Sequence, residues 1–213
     1  MIKVYFVNVF KNQELLRRRL RYLKDFDYGR VIKALRPEKK MEYIASGLLK
    51  QFVFEKELKK SYPDDISLNE FGKPVLKDNS FNFSFSGNLQ YVVACVSKTS
   101  MLGVDVECKR TAPKFVSTIF FTENEWNYLA EHSKDFSRLW TRKEAFLKCI
   151  GTGWNQRVDC DILQNQLCYN GCEYCWMELS LFENIDVSIC YEYRGVNEDI
   201  DVYEITDADF NLQ

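Results

Sequence analysis

The chain has 213 residues, enough for one substantial core or for two small lobes that share one. Its hydrophobic content of 46% and aromatic content of 15% describe a well-packed globular protein, and a net charge of −2 argues against a general nucleic-acid binder. The longest apolar runs are far shorter than a bilayer demands, so no membrane span is expected.

In chain order, the first segment is a strand-like run from Met1 to Phe10 without the long apolar stretch and small-residue cleavage site of an export signal. A cytoplasmic protein with reduced core thiols is therefore expected, which places the eight cysteines. From Arg17 to Lys40, ten Lys and Arg residues stand against Asp25, Asp27 and Glu38. Leu16, Leu20 and Leu23 recur there at helical spacing, so part of this stretch reads as an amphipathic helix with a basic face. A solvated helix face and a site for anionic ligands or an acidic partner both account for the charge. A second helical pattern, "MEYIASGLLKQFVFEKELKK", is closed by Pro63.

The texture then changes to short strands. "NEFGKPVL" carries Gly72 and Pro74 as turn punctuation around Lys73. "FNFSFS" and "QYVVACVS" form an expected hairpin about Gly87-Asn88, and "LGVDVE" completes a local set of three. A polar connector, 111–114, follows. Thr122 and Glu125 have the spacing of a capping box opening the helix "ENEWNYLAEH", and another helix is expected from about Asp135 to Cys149. Three strand-like runs come last: "DCDILQNQLCY", "CEYCWMELSLF" beyond the turn Asn170-Gly171, and "IDVSICYEY".

Helices followed by three strands thus occur twice, and "NLQYVVACVS" and "NIDVSICYEY" share an Asn, a β-branched core and a central cysteine. The pattern predicts an α+β fold of two similar lobes, 1–108 and 109–213. Each would be a small antiparallel sheet with packed helices, in a pseudo-twofold arrangement with a cleft between the lobes.

Two segments carry chemistry. In "MLGVDVE", alternation sends Asp105 and Glu107 to one face of a strand and Val104 and Val106 to the other. A half-buried strand with a wet face accounts for this pattern; so does a hard-metal site, because two convergent carboxylates repel unless a cation sits between them. In "DFSRLWTRKEAFLKCIG", Phe136, Trp140, Glu144 and Lys148 are spaced by four and form one stripe. An exposed Glu-to-Lys pair would be worth only about 0.3–0.5 kcal/mol. The aromatic start of the stripe puts these charges at the edge of a buried surface instead. Asp105, Glu107 and Glu144 could hold Mg²⁺, and Lys148 could neutralise a phosphate: the equipment of a phosphoryl-type transfer.

"GVDVE" at 103–107, followed by "WTRKEAFLK" at 140–148 with Glu144 lying 39 residues after Asp105, resembles the paired signature of the 4′-phosphopantetheinyl transferases. The similarity is to the two-lobed type that activates surfactin synthetase. "NEFGKPVL" and "FNFSFSGN" fall where that family has a Gly-Lys-Pro turn and an Asn-x-Ser-His-Ser-Gly segment, so the ordered match covers about 67–155. The resemblance implies transfer of phosphopantetheine from coenzyme A to a serine of an acyl or peptidyl carrier protein, releasing 3′,5′-ADP; two lobes in one chain would make a monomer sufficient. It implies Asp105, Glu107 and Glu144 as Mg²⁺ ligands, with Glu144 taking the serine proton and Lys148 holding the phosphate. Lys73 and Ser84 would contact coenzyme A, and the basic N-terminal stretch would face its 3′-phosphate or the acidic carrier. Two positions depart from the pattern: Phe85 stands where the family has a histidine, and Tyr43 lies near an expected arginine. Loss of a donor at Phe85 predicts weaker coenzyme A binding or compensation by a nearby Lys or Arg.

Two other readings are open. Cys168, Cys172 and Cys175 fit the C-x3-C-x2-C spacing of an iron–sulfur or zinc site, but Asn170-Gly171 inside it signals a hairpin turn that would pair Tyr169 with Cys172 and split the thiols between faces. A non-catalytic carrier-protein-binding relative would keep the fold without the chemistry. His132, the only histidine, reads as structural or solvent-facing.

Overall fold

The computed structural model describes residues 1–112, 120–155, 158–180 and 183–210. Strand β1 (Ile2–Asn8) leads into helices α1 (Gln13–Arg19), α2 (Asp25–Lys33) and α3 (Pro37–Gln51). Short strands β2 (Ile66–Leu68) and β3 (Pro74–Leu76) precede β4 (Asn82–Gly87), β5 (Tyr91–Ser97) and β6 (Leu102–Cys108). Helices α4 (Glu123–Glu131) and α5 (Phe136–Ile150) are followed by β7 (Gln166–Tyr169), β8 (Cys172–Glu178), β9 (Ile185–Tyr193) and β10 (Ile200–Glu204).

The fold class is α+β, as expected. One sheet has the order β10-β1-β5-β4 and the other β6-β9-β8-β7, with β2 and β3 forming a separate hairpin. Period-two alternation builds the layers. Ile2, Val4, Val93 and Cys95 of the first sheet meet Val104, Val106, Val187 and Ile189 of the second in one apolar seam. The opposite face of the first sheet, through Val92, Ala94 and Val96, packs under Ile44, Leu48 and Leu49 of α3. The outer face of the second sheet, through Trp176 and Cys190, packs under Leu139, Ala145 and Phe146 of α5. The layers run helix, sheet, sheet, helix, and each such buried side chain contributes about 1.5–3 kcal/mol.

Several expectations are corrected. The basic stretch is helical in part, as expected, but divided between α1 and α2. After α1, a 3-10 turn (Leu20–Tyr22) and the extended residues Leu23 and Lys24 redirect the chain, which lets Leu16 and Leu23 both bury against α3. The next helix starts earlier, with Pro37 in its first turn, and passes at Phe52–Leu58 into a π-helical segment in which Phe52, Val53 and Phe54 are all buried. Strand β6 does not complete a local set with β4 and β5. It pairs antiparallel with β9, from Leu102↔Tyr191 to Cys108↔Ile185. The segment expected as a strand from Asp159 is extended only at β7, because Cys160 and Ile162 are drawn onto α5 and α4 instead. Strand β10, absent from the sequence expectation, adds parallel to β1, so the first sheet is mixed rather than wholly antiparallel. The division at 108/109 is therefore crossed twice: β6 from the first half joins the second sheet, and β10 joins the first.

Other expectations stand. Thr122 and Glu125 form the capping box, Thr122 Oγ1 accepting from Glu125 N and Glu125 Oε2 from Thr122 N. Glu125 Oε1 is also bonded by Lys143 Nζ at 2.8 Å, and Lys143 donates to Cys160 O at 2.8 Å. This fully buried pair fixes α4, α5 and the 160–162 segment together. His132 is exposed and stacked on Tyr128 at 4.3 Å. The connector expected at 111–114 enters 113–119, which lies outside the described residues. No helix among the described residues is long and apolar enough to cross a membrane.

Candidate active site

The site is built where the edges of the two sheets approach. Strand β4 lies beside β6, and Ser84 Oγ accepts a hydrogen bond from Val104 N at 3.1 Å. Helix α5 crosses β6 at Gly103, where a Cβ would lie 2.1 Å from Ala145 O and 2.5 Å from Cys149 N. Only a residue without a side chain lets the helix backbone come this close. The crossing brings the end of the Glu144–Lys148 stripe onto the face of β6 that carries Asp105.

Lys148 Nζ donates to Asp105 Oδ1 at 2.6 Å and to Val104 O at 3.2 Å. Ser86 Oγ donates to the same Asp105 oxygen at 2.7 Å and accepts from Lys148 at 3.2 Å. Asp105 is buried, and its Oδ2 has no hydrogen-bond partner among the described residues. Glu144 is half-buried, its Oε1 held by Trp154 Nε1 at 2.7 Å, and the Trp154 ring stacks on Trp140 at 5.5 Å. Burial raises the Glu144 carboxyl above the usual range; Lys148 and Trp154 oppose this and Asp105 adds to it. Burial likewise raises Glu107, with Asp105 and then Glu144 as the repelling neighbours and Arg110 between them in strength as a counterweight. The three carboxylates of the motif pair thus feel one another's charge across the β6–α5 contact.

They do not form a closed cage: among the described residues no three His, Cys, Asp or Glu side chains are gathered as a preformed metal site. Lys148 occupies one side of Asp105 instead. The donor set nevertheless fits a hard, hydrated cation. One buried Asp105 oxygen meets no donor among the described residues, Glu107 and Glu144 are raised by burial and by the charge of Asp105, and Mg²⁺ typically takes only one or two protein carboxylates together with waters and substrate phosphates. In the C-x3-C-x2-C segment the register is the one the turn implies, with Tyr169 opposite Cys172 and Cys168 opposite Glu173.

Lys73, Ser84, Phe85 and Lys148 all line one cavity of about 300 Å³. The turn carrying Lys73 is anchored to the end of α5 by Asn69 Nδ2, which donates to Gly151 O at 3.0 Å. Gly72 (φ 88°) and Gly151 (φ 81°) supply the left-handed backbone that this turn and the end of α5 require. Lys73 Nζ donates to Cys149 O at 3.1 Å and Leu102 O at 3.4 Å, so its charge sits at the negative end of α5. Burial lowers the Lys73 ammonium below its ordinary value. Phe85 points to the other face of β4 from Ser84 and Ser86, packing 5.8 Å from Phe83 and 6.1 Å from Phe54. Tyr43 lies under Arg30 (4.5 Å) and Lys39 (5.2 Å), and Arg30, Lys33, Arg36 and Lys39 line an open cavity of about 370 Å³ around it.

Two residues that hold this arrangement were not foreseen. Ser86 shares a strand face with Ser84 at period two, a signal sufficient to include it. Trp154 lies beyond the end of α5, and no local pattern points it back at Glu144.

The motif resemblance is borne out by comparison with known proteins. Residues 101–172 match the sequence model of the 4'-phosphopantetheinyl transferase superfamily, a span that holds Asp105, Glu107, Glu144 and Lys148 but not Lys73, Ser84 or Phe85. The chain is similar to 4'-phosphopantetheinyl transferase Sfp of Bacillus subtilis (strain 168), 33% identical over 101 residues, 44% of each chain. It is also similar to 4'-phosphopantetheinyl transferase HetI of Nostoc sp. (36% over 95 residues, 38% of this chain and 39% of that protein). A third relative is the L-aminoadipate-semialdehyde dehydrogenase-phosphopantetheinyl transferase of Xenopus laevis (32% over 114 residues, 43% of this chain and 37% of that protein). The matched part spans less than half the length of each of these relatives.

Proposed function

Starting from this similarity, we propose that the chain is a 4′-phosphopantetheinyl transferase that moves phosphopantetheine from coenzyme A to a carrier-protein serine. The observation that carries the reading is the convergence on the β6–α5 crossing of Asp105, Glu144 and Lys148, all inside the matched span, with Ser86 added from β4. In the reaction the serine Oγ attacks the β-phosphorus of the pyrophosphate and the bond to the bridging oxygen breaks. The serine proton passes to Glu144, and the displaced α-phosphate leaves as 3′,5′-ADP. Asp105, Glu107 and Glu144 would hold Mg²⁺, which when bound supplies charge neutralisation for the pyrophosphate oxygens. Lys148, beside Asp105, would hold a phosphate oxygen, and Trp154 Nε1 fixes Glu144 Oε1 by its hydrogen bond. Since both sheets that form the site come from one chain, the reading takes a cytoplasmic monomer as sufficient.

The test is mass spectrometry of an apo carrier protein incubated with the chain, coenzyme A and Mg²⁺. A gain of one phosphopantetheine supports the transferase; tight binding of the carrier without any gain replaces it with the non-catalytic relative.

Two smaller effects follow from the geometry. Ser86→Ala removes one hydrogen bond to Asp105 Oδ1 and one acceptor of Lys148, so transfer is expected to fall by about five- to tenfold without loss of the fold. Steady-state kinetics checks this, and an unchanged kcat/KM removes Ser86 from the site. Phe85→His places a donor on the cavity wall and is expected to tighten coenzyme A binding by about tenfold. Calorimetric titration showing equal or weaker affinity contradicts the placement of coenzyme A against Phe85.

A further inference from the structure

Asp105 and Glu144 are tied in the same way. Lys148 and Ser86 both donate to Asp105 Oδ1, and Oδ2 has no donor among the described residues. Trp154 Nε1 donates to Glu144 Oε1 at 2.7 Å, and Oε2 has no donor among the described residues. Each carboxylate is fixed at one oxygen and open at the other. For Glu144 the tie comes from outside the helix, beyond the WTRKEAFLK signature. Gly151 (φ 81°) ends α5 in the left-handed region, Gly153 (φ 53°) turns the chain again, and the 3-10 turn Gly153–Asn155 lays Trp154 back along α5. Asn155 Nδ2 pins that turn, donating to Phe71 O at 3.1 Å and to Thr152 O at 3.2 Å. The indole stacks on Trp140 at 5.5 Å and stands perpendicular to Phe120 at 4.7 Å, so two rings lock its plane. It is nevertheless 39% exposed, and it turns its N–H inward onto α5. A surface tryptophan ordinarily buries its rings and leaves the N–H to water. Here the bond to Glu144 decides the orientation.

We propose that Trp154 is a specificity-determining residue for the cation: by occupying Oε1 it restricts Glu144 to one ligating oxygen, and so selects a small octahedral ion, Mg²⁺ or Mn²⁺, over Ca²⁺. This rests on the transferase reading, in which Asp105, Glu107 and Glu144 hold the cation. Ca²⁺ takes about six to eight oxygens at about 2.3–2.6 Å and readily uses both oxygens of one carboxylate. Mg²⁺ demands a near-ideal octahedron at about 2.0–2.1 Å, which one oxygen from each ligand suits. To bind in bidentate fashion, Glu144 must share Oε1 between the ion and the indole and rotate its plane against a ring that Trp140 and Phe120 hold still. A single-oxygen ligand keeps the hydrogen bond as it is. Asp105 is restricted alike by Lys148 and Ser86, so the preference is built into both carboxylates that meet at the β6–α5 crossing. Hydrogen bonds of this kind to ligating groups set affinity by about 10–100-fold.

The experiment is Mn²⁺ binding to the full chain with coenzyme A present, read as free Mn²⁺ by electron paramagnetic resonance, with Mg²⁺ and Ca²⁺ as competitors, in wild type and Trp154→Phe. Phenylalanine keeps a ring for the stack and removes the donor. Wild type is expected to favour Mg²⁺ over Ca²⁺ by about tenfold or more. In Trp154→Phe the affinity for Mg²⁺ is expected to fall about tenfold while that for Ca²⁺ stays within about twofold, so the preference is lost. A second reading needs only wild type and guards against a variant that fails to fold. Of its four tryptophan indole N–H resonances, the one bonded to Glu144 is expected to move when Mg²⁺ is added, because its acceptor belongs to a ligand. No preference in wild type, equal losses of both ions in the variant, no loss of either, or four unmoved resonances overturn the inference. Carrier modification by the wild type then leaves the transferase reading intact. Wild-type protein that binds no Mn²⁺ overturns both the inference and the cation site on which it rests.

Discussion

Asp105→Asn is expected to lower kcat for carrier-protein modification by about 10²–10³-fold, with the melting temperature close to that of wild type. The amide keeps the volume of the side chain, so Ser86 retains a neighbour of the same shape and the strand keeps its register with Ser188. What disappears is charge. Asp105 is the group on which Lys148 and Ser86 converge, and its second oxygen is buried without a donor among the described residues. An amide nitrogen in either orientation puts a donor toward Lys148 or into the space a cation would enter, and both oppose the charge pattern that a pyrophosphate in transfer requires. Because the loss acts on the reacting groups, it is expected in kcat, with a smaller change in the KM for the carrier protein. Single-turnover kinetics at saturating coenzyme A and Mg²⁺ checks this. Activity within a few-fold of wild type means that Asp105 is a structural partner of Lys148 and nothing more.

The reach of the sequence can be judged at this same strand. Alternation alone separates Asp105 and Glu107 from Val104 and Val106, and the apolar pair does enter the seam between sheets. The spacing of four in α5 likewise groups Phe136, Trp140, Glu144 and Lys148 on one stripe, whose Lys148 end reaches Asp105 of β6. These are local periodicities of one element, which neighbours along the chain determine. Pairing between distant elements has no such signature. The choice of β9 rather than β4 or β5 as the ladder partner of β6 depends on which apolar faces can be buried together, and that is decided only once both sheets exist. The return of β10 to β1, nearly the whole chain away, is of the same kind. Trp154 was missed for a related reason. It acts on the site from the segment beyond α5, and its local sequence looks like an ordinary turn.

Gly103→Ala is expected to cost about 1–3 kcal/mol of stability and, beyond that, to reduce transfer by about 10²-fold in the protein that remains folded. The added methyl would meet two backbone atoms of α5, Ala145 O at 2.1 Å and Cys149 N at 2.5 Å, and backbone in mid-helix has no rotamer by which to retreat. The helix as a whole must lift from the strand. Lys148 and Glu144 ride on it, so the contact of Lys148 with Asp105 and the hydrogen bond from Trp154 to Glu144 both lengthen. A displacement of about 1 Å at reacting groups is enough for a loss of that size. Gly103→Val should go further in both respects. Gly29→Ala in α2 is the control: nothing lies within 4 Å of the added atom, and in a helix interior alanine is expected to stabilise by about 0.5–1 kcal/mol with activity unchanged. Urea denaturation followed with near-ultraviolet circular dichroism, which reads the stacked Trp140 and Trp154 rings, separates the two effects. A Gly103→Ala protein with wild-type stability and turnover would show that the β6–α5 contact is loose, and the joint action of Asp105 with Glu144 and Lys148 would lose its structural basis.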